Sequence, residues 1–312
     1  MEETRRRRGL LTAVVVAVAG GLLLAHPWLP GLPGNPMSLV ETFLPWLGLA
    51  VPIGLIVAAV RRSLLAALVC LLVGVAWVGV FREPLGSDES GGAYDLTVVQ
   101  HNVSDENTSP SRVGRILLGP DPDIIALQEL TEESLPAYRL VLDPTHPYRA
   151  TVGTVGLWSK HPLTGIARVD LKPAGVGPGW DRGLRAVVRS PHGDVTTYVA
   201  HLPSVRLRAS QGYATAWRDE SAARLGRALA ADRSSAVLVL GDLNGTVDDR
   251  GLAPVLSEVS GNRDAFAFSW PAALPLARID HVLARGTAEV GPTWTLPATG
   301  SDHLPVAARV RR

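Results

Sequence analysis

Ala236-Val237-Leu238-Val239-Leu240-Gly241-Asp242-Leu243-Asn244 is the stretch from which the rest of the chain can be read. Five apolar residues, four of them valine and leucine in alternation, predict a strand buried on both faces. Gly241-Asp242-Leu243-Asn244 then puts two short polar side chains just past a strand end, where they can be aimed into a cleft. Three other segments end an apparent strand in the same manner, and two more place polar residues just before one. Val98-Val99-Gln100-His101-Asn102 presents Asn102, and Ile124-Ile125-Ala126-Leu127-Gln128-Glu129 presents Glu129. Tyr198-Val199-Ala200-His201 presents His201, and Gly300-Ser301-Asp302-His303-Leu304-Pro305 sets a carboxylate beside an imidazole just before the strand 306–310. Asp280, in Arg278-Ile279-Asp280-His281, opens one more. Strands are expected at 95–101, 124–128, 152–158, 184–189, 195–201, 236–241, 280–284 and 306–310, with helices at 111–118 and 209–231. Many strands with few helices between them suit two packed sheets covered by helices.

Toward the N-terminus the composition changes. The chain has 312 residues, and none is Asp, Glu, Lys or Arg from 9 to 40, 42 to 60 or 63 to 81. Each run approaches the ~20 apolar residues that cross a bilayer, so transmembrane helices are expected at about 10–29, 38–60 and 63–81. Arg5 to Arg8 could also be the basic start of a signal peptide, but no small-x-small cleavage site follows. Arg5 to Arg8 and Arg61-Arg62 place the same side of the membrane in the cytoplasm. Three crossings then make a multi-pass cell-membrane protein with residues after 81 extracytoplasmic. The polar, turn-rich stretch 82–93 reads as a linker and 94–312 as the folded domain.

Charge narrows the partners. Residues 82–312 carry 24 basic and 26 acidic side chains, a net of about −2, so this part has no surplus of Lys and Arg to neutralise a polynucleotide. Lysine occurs only at Lys160 and Lys172. The single cysteine, Cys70, lies in the third apolar run, which excludes an internal disulfide and makes a thiol nucleophile a poor candidate.

Carboxylate, amide and imidazole groups gathered at strand ends suit metal-assisted attack of water on phosphorus. Taken in this order, Asn102, Gln128-Glu129, His201-Leu202, Gly241-Asp242-Leu243-Asn244, Arg278-Ile279-Asp280-His281 and Ser301-Asp302-His303 resemble the endonuclease/exonuclease/phosphatase superfamily of DNase I-like phosphoesterases, over about residues 94–312. The resemblance implies a four-layered α-β-β-α sandwich with the site at one edge of both sheets. It implies Glu129 as the principal ligand of a divalent cation, Mg²⁺ or Mn²⁺, with Asn102 and Asp302 near it. It implies His303 as general base or phosphate contact, kept basic by Asp280, Asp242 and Asn244 positioning water and phosphate, and His201 facing the leaving group. Some DNA-repair members carry an acidic residue two positions after the asparagine; here Ser104 stands there, with Asp105 one residue out of phase. Arg182 and Arg206 are candidate substrate contacts, Arg185 and Arg224 weaker ones, and Trp270 suits either a cleft wall or the core. The membrane layout resembles actinobacterial proteins of this superfamily associated with glycopeptide (teicoplanin-type) resistance. The expected function is a membrane-anchored phosphoesterase acting on lipid-linked phosphates or pyrophosphates. An exported nuclease and a non-catalytic membrane interaction module are the alternatives.

Overall fold

The computed structural model describes residues 2–82, 93–261 and 266–312, with side chains from Gly9 onward. Residues 83–92, most of the expected linker, lie outside the described residues.

Two sheets stack face to face. The first has six strands in the order β12-β13-β1-β2-β4-β3: β1 is Leu96–Asn102, β2 Ile124–Gln128, β3 Tyr148–Val152, β4 Val155–Ser159, β12 Glu289–Thr295 and β13 Val306–Arg311. The second has five in the order β11-β10-β7-β6-β5: β5 is Leu163–Arg168, β6 Gly183–Ser190, β7 Gly193–His201, β10 Ala236–Asp242 and β11 Asp280–Gly286. A short hairpin of β8 (Arg206–Arg208) and β9 (Gly212–Ala214) stands apart.

Because side chains alternate along a strand, each central strand feeds two cores. Val98 of β1 and Leu238 and Leu240 of β10 point into one cluster between the sheets, with Ile124, Leu184 and Val282. Val99 and Ile125 face outward onto Val113, Leu117, Tyr138 and Leu142, which belong to helices at Pro110–Leu117 and Leu135–Leu142. Val237 and Val239 face outward on the other side, onto Ala222, Leu225 and Leu229 of the helix Ala216–Ala231 and Val255 of the helix Ala253–Leu256. The result is helix, sheet, sheet, helix, an α/β sandwich of four layers. These side chains are almost wholly buried, and at about 25 cal/mol per Å² of apolar area they form the main stabilising term.

The two central parallel pairs fix the site. β1 and β2 run parallel with Asn102 opposite Gln128. β7 and β10 run parallel with His201 opposite Asp242, and antiparallel β11 sets Asp280 opposite Asp242. Both sheets therefore end their central strands at one edge.

The N-terminal region departs from three spans of equal kind. Its described residues include the α-helices α1 (Glu2–Ala25), α2 (Pro36–Thr42), α3 (Ala50–Arg61) and α4 (Leu64–Val80). Among the described residues two stretches are long and apolar enough to cross a bilayer, Gly9–Trp28 and Leu44–Arg61, whereas Leu64–Val80 has 17 residues. The second stretch starts at Leu44 rather than residue 38, because α2 is not apolar all round: Ser38, Glu41 and Thr42 are buried against the sandwich. α1, α3 and α4 meet through Ala13, Ala58 and Ala66. Their other faces leave Leu11, Ile56, Leu72 and Val75 more than half exposed.

Candidate functional site

The strand ends open into one cleft of about 760 Å³ lined by Asn102, Glu129, His201, Asp242, Asn244, Asp302 and His303. Three residues at its rim, Ser104, Glu129 and Asn244, have left-handed backbones with φ of 61°, 61° and 49°. Such conformations cost non-glycine residues energy, and they persist where the surroundings over-determine them, commonly at functional sites. Gly241 is required for a related reason. A Cβ there would collide with the carbonyl of Ala200 on the neighbouring parallel strand, so only glycine lets the chain turn Asp242 into the cleft.

Asn102 holds the carboxylates together. Its amide nitrogen donates to Glu129 Oε1 and to Asp242 Oδ2, both at 3.1 Å, while its oxygen accepts from the Ser104 amide. It thus meets the carboxylates through nitrogen, and to offer a cation its oxygen the amide would have to turn over. Asn244 donates to Asp242 Oδ2 at 3.2 Å and to the Leu202 carbonyl at 2.9 Å. Ser301 Oγ donates to the Asn102 carbonyl and accepts from the His303 amide, tying the last motif to the first.

His303 faces two carboxylates, Asp280 Oδ2 at 2.8 Å from Nδ1 and Asp242 Oδ2 at 3.8 Å from Nε2. Burial alone would push its pKa down, but Asp280, then Asp242, override this and raise it to about 10. Burial pushes Asp242 up to about 7, against the pull of His303 and with the help of Asp280. Burial would also raise Asp280, yet His303 and the Ser269 hydroxyl, which donates to Oδ2 at 2.6 Å, hold it at about 2. Ser269 lay outside the sequence motifs and has no signal of its own there.

His201 is buried, with Nε2 3.6 Å from Glu129 Oε1. The Arg182 guanidinium lies 3.2 Å from Nδ1 and stacks on Trp180 at 5.0 Å. Burial, then Arg182, push the imidazole well below its usual range. A neutral His201 suits a hydrogen bond to a leaving oxygen better than a standing charge, and Arg182 supplies the positive charge on that side. Arg206 reaches the cleft from β8, and Trp270 is part of the wall.

Two expected contacts fall elsewhere. Arg185 pairs with Asp232 and Arg224 with Glu220 and Asp170, all outside the cleft lining. Asp105, by contrast, lines the cleft together with Ser104. The left-handed Ser104 ends strand alternation, so the one-residue offset no longer decides the face. The sequence also offered no sign that Thr42 and Tyr213 border the cleft.

The residues fit a divalent cation. Glu129, Asp242 and Asp302 line the same cleft, and carboxylate oxygens suit a hard ion that keeps several waters. Asp242, Asp280 and His303 also bring ligand atoms within 4.8 Å of one another. In that group Asp280 Oδ2 is already engaged by Ser269 and His303, and only Asp242 and His303 of the three line the cleft.

Known proteins bear out this architecture. The chain is similar to a crystal structure of beta toxin from Staphylococcus aureus, with 16% identity, a TM-score of 0.53, and coverage of 69% of this chain and 99% of that one. Sphingomyelinase C from Streptomyces griseocarneus aligns with 18% identity, a TM-score of 0.51, and coverage of 70% and 99%. An endonuclease/exonuclease/phosphatase from Beutenbergia cavernae aligns with 18% identity, a TM-score of 0.54, and coverage of 70% and 72%. A beta toxin mutant from Staphylococcus aureus with bound magnesium ions is a further match at 15% identity, a TM-score of 0.52, and coverage of 69% and 99%. A search of curated proteins finds no match. The model of the Endonuclease/Exonuclease/phosphatase family matches residues 99–303, about two-thirds of the chain and every motif of the cleft, so the chain belongs to that family of metal-dependent phosphoester hydrolases.

Proposed function

We propose that the protein hydrolyses lipid-linked phosphates or pyrophosphates at the outer face of the membrane that anchors it. One observation carries the lipid substrate: Thr42 lines the cleft, and the apolar stretch Leu44–Arg61 begins two residues later. At about 2 Å of rise per residue in the intervening turn, the cleft wall lies within a few ångströms of the apolar stretch. Trp46, inside that stretch, donates to the Leu276 carbonyl at 2.7 Å, six residues beyond the cleft residue Trp270. A head group still seated in a bilayer is thereby within reach, and tethering raises its local concentration.

In the anchored state α1, α3 and α4 cross the membrane. Their outward leucine, isoleucine and valine side chains, more than half exposed, call for an apolar surrounding. Arg61 and Arg62 sit at the cytoplasmic turn.

Glu129 and Asp302 would hold a divalent cation, Mg²⁺ in this reading, which would supply neutralisation of phosphoryl charge. Asp242 accepts a proton from the attacking water, since its raised pKa puts it near neutrality. Asn244 orients that water beside Asp242. His303, protonated, contacts the phosphoryl oxygens on the water's side. His201 and Arg182 stabilise the departing oxygen, and Arg206 and Trp270 border the remainder of the substrate.

The test uses full-length protein in nanodiscs with Mg²⁺, offered a polyprenyl pyrophosphate and, separately, plasmid DNA. Phosphate release from the lipid, abolished by chelator, is expected, with DNA left intact. DNA cleavage without lipid turnover would replace this proposal with the exported nuclease.

A further inference from the structure

The segment between the first two apolar helices does more than connect them. Arg218, on the helix Ala216–Ala231, is 1% exposed and sits at the centre of the contacts this segment makes. Its Nη1 donates to the carbonyl of Asn244 at 2.9 Å, and its Nη2 to Asp249 Oδ2 at 2.9 Å and to Ser38 Oγ at 3.2 Å. Ser38 Oγ in turn donates to Asp249 Oδ2 at 2.6 Å. The loop that leaves β10 is wrapped closely around this guanidinium: a Cβ at Gly245 or at Gly251 would collide with it.

A second set of bonds lies alongside. Thr246 Oγ1 donates to the Glu41 carbonyl at 3.1 Å, and the Arg250 amide and side chain donate to the Glu41 carboxylate at 3.0 and 2.7 Å. The other Arg250 nitrogen reaches the Leu29 carbonyl at 2.8 Å. On the far flank, the Tyr213 amide donates to the Gly34 carbonyl at 2.8 Å, and the Tyr213 hydroxyl lies 3.3 Å from Thr42 Oγ1 at the cleft.

Glu41, Asp249 and Arg218 are charged groups withdrawn from water. Burying them is costly unless they are paired and hydrogen-bonded, and mere attachment of a membrane region would not need such a network. What they grip is the stretch just after Asp242 and Asn244.

We propose that residues 34–42 are a positioning element of the hydrolytic site, holding the 243–250 loop through Arg218, Thr246 and Arg250 so that turnover requires this segment to be docked. This rests on the hydrolytic role of Asp242 and Asn244 and adds that the membrane region is part of the machinery. Arg218, Ser38 and Glu41 are positioning residues; none lies within the cleft lining.

The test uses full-length protein in nanodiscs and the soluble diester bis(4-nitrophenyl) phosphate, which reads the site without a lipid. Ser38→Ala removes one hydroxyl, and Thr246→Val removes only the bond to the Glu41 carbonyl. Each is expected to lower kcat about tenfold with KM within about twofold, and to speed amide exchange across 243–250 about tenfold, as loss of one buried hydrogen bond allows. Ser38→Thr, which keeps a hydroxyl, should restore both. Unchanged exchange at 243–250 in both variants, or unchanged kcat, overturns the proposal. If the wild type turns over neither this diester nor the polyprenyl pyrophosphate, the hydrolytic reading fails, and the exchange measurement still decides whether residues 34–42 hold the loop.

Discussion

His303 keeps its proton because Asp280 and Asp242 face it from opposite ring nitrogens, and Asp242 stays half-protonated near neutrality because burial outweighs its cationic neighbour. Turnover should therefore rise with pH as Asp242 deprotonates through about 7 and fall as His303 loses its proton through about 10, a bell read directly from a pH–rate profile. Asp280→Asn removes the larger electrostatic support of the imidazolium, so the alkaline limb should move down by at least about one pH unit. An alkaline limb that stays in place would separate His303 from that ionisation. Glu129→Ala should lower the rate by at least about a hundredfold while the circular dichroism spectrum is retained; normal activity would remove Glu129 from the site. At this scale the sequence was informative wherever polar residues ended a strand, since strand ends gather at a sheet edge. It was silent where the partner comes from a distant loop, as Ser269 does for Asp280, or where a backbone leaves the strand conformation, as Ser104 does.

Gly241 shows how one element's packing constrains its motif. β7 and β10 run so close that the Ala200 carbonyl occupies the space of a Cβ at position 241. Gly241→Ala should cost about 1–3 kcal/mol as the strands separate, seen as a lowered Tm, and should cost activity too because Asp242 follows directly. A variant of wild-type Tm would mean the strands yield without strain. Buried central strands were legible for the same packing reason, since β2 and β10 are buried along their whole length and β1, β7 and β13 over most of theirs. The strands that escaped notice are edges or small pieces. β3, β5 and β12 border their sheets, β5 is largely exposed, and β12 contains Gly291 and Pro292 with a register shift between Val290 and Thr293. An edge strand needs neither continuous apolar residues nor every amide. The helix expected from 209 begins at 216 because 212–214 pair in β9 and bond to Gly34. α2 was absorbed into an apolar run because its polar residues, Ser38, Glu41 and Thr42, are few, and the partners of Ser38 and Glu41 lie some two hundred residues away.

Across the whole molecule, buried histidines set the response to acid. Burial pushes His101 to about 3 and His281 to about 4, and it also lowers His146 and His201. Below about 6.5 the unfolded chain takes up protons at these rings that the folded chain refuses, so stability falls as pH drops through that value. Asp242 acts oppositely: between about 3.8 and about 7 the folded chain holds a proton that the unfolded chain has released. One carboxyl stands against four imidazoles, so the fall wins. His303 governs the other side. Its raised pKa contributes stability that is complete below about 6.5 and lost as pH rises through about 10. Between pH 6.5 and 4.5 His101 and His281 each remove on the order of 2–3 kcal/mol, at about 1.4 kcal/mol per pH unit, a large fraction of the stability of a typical domain. Calorimetry on the full chain should give its highest Tm near pH 6.5–7, a steep decline toward pH 4.5 and a gentler one toward pH 10. His281→Gln, which keeps a donor for the Gly245 carbonyl now 2.8 Å from Nε2, should flatten the acid limb. A Tm that is level from pH 7 to pH 4.5 would mean that water reaches these rings in the folded state, and the packed edge on which the cleft is built would be looser than its burial indicates.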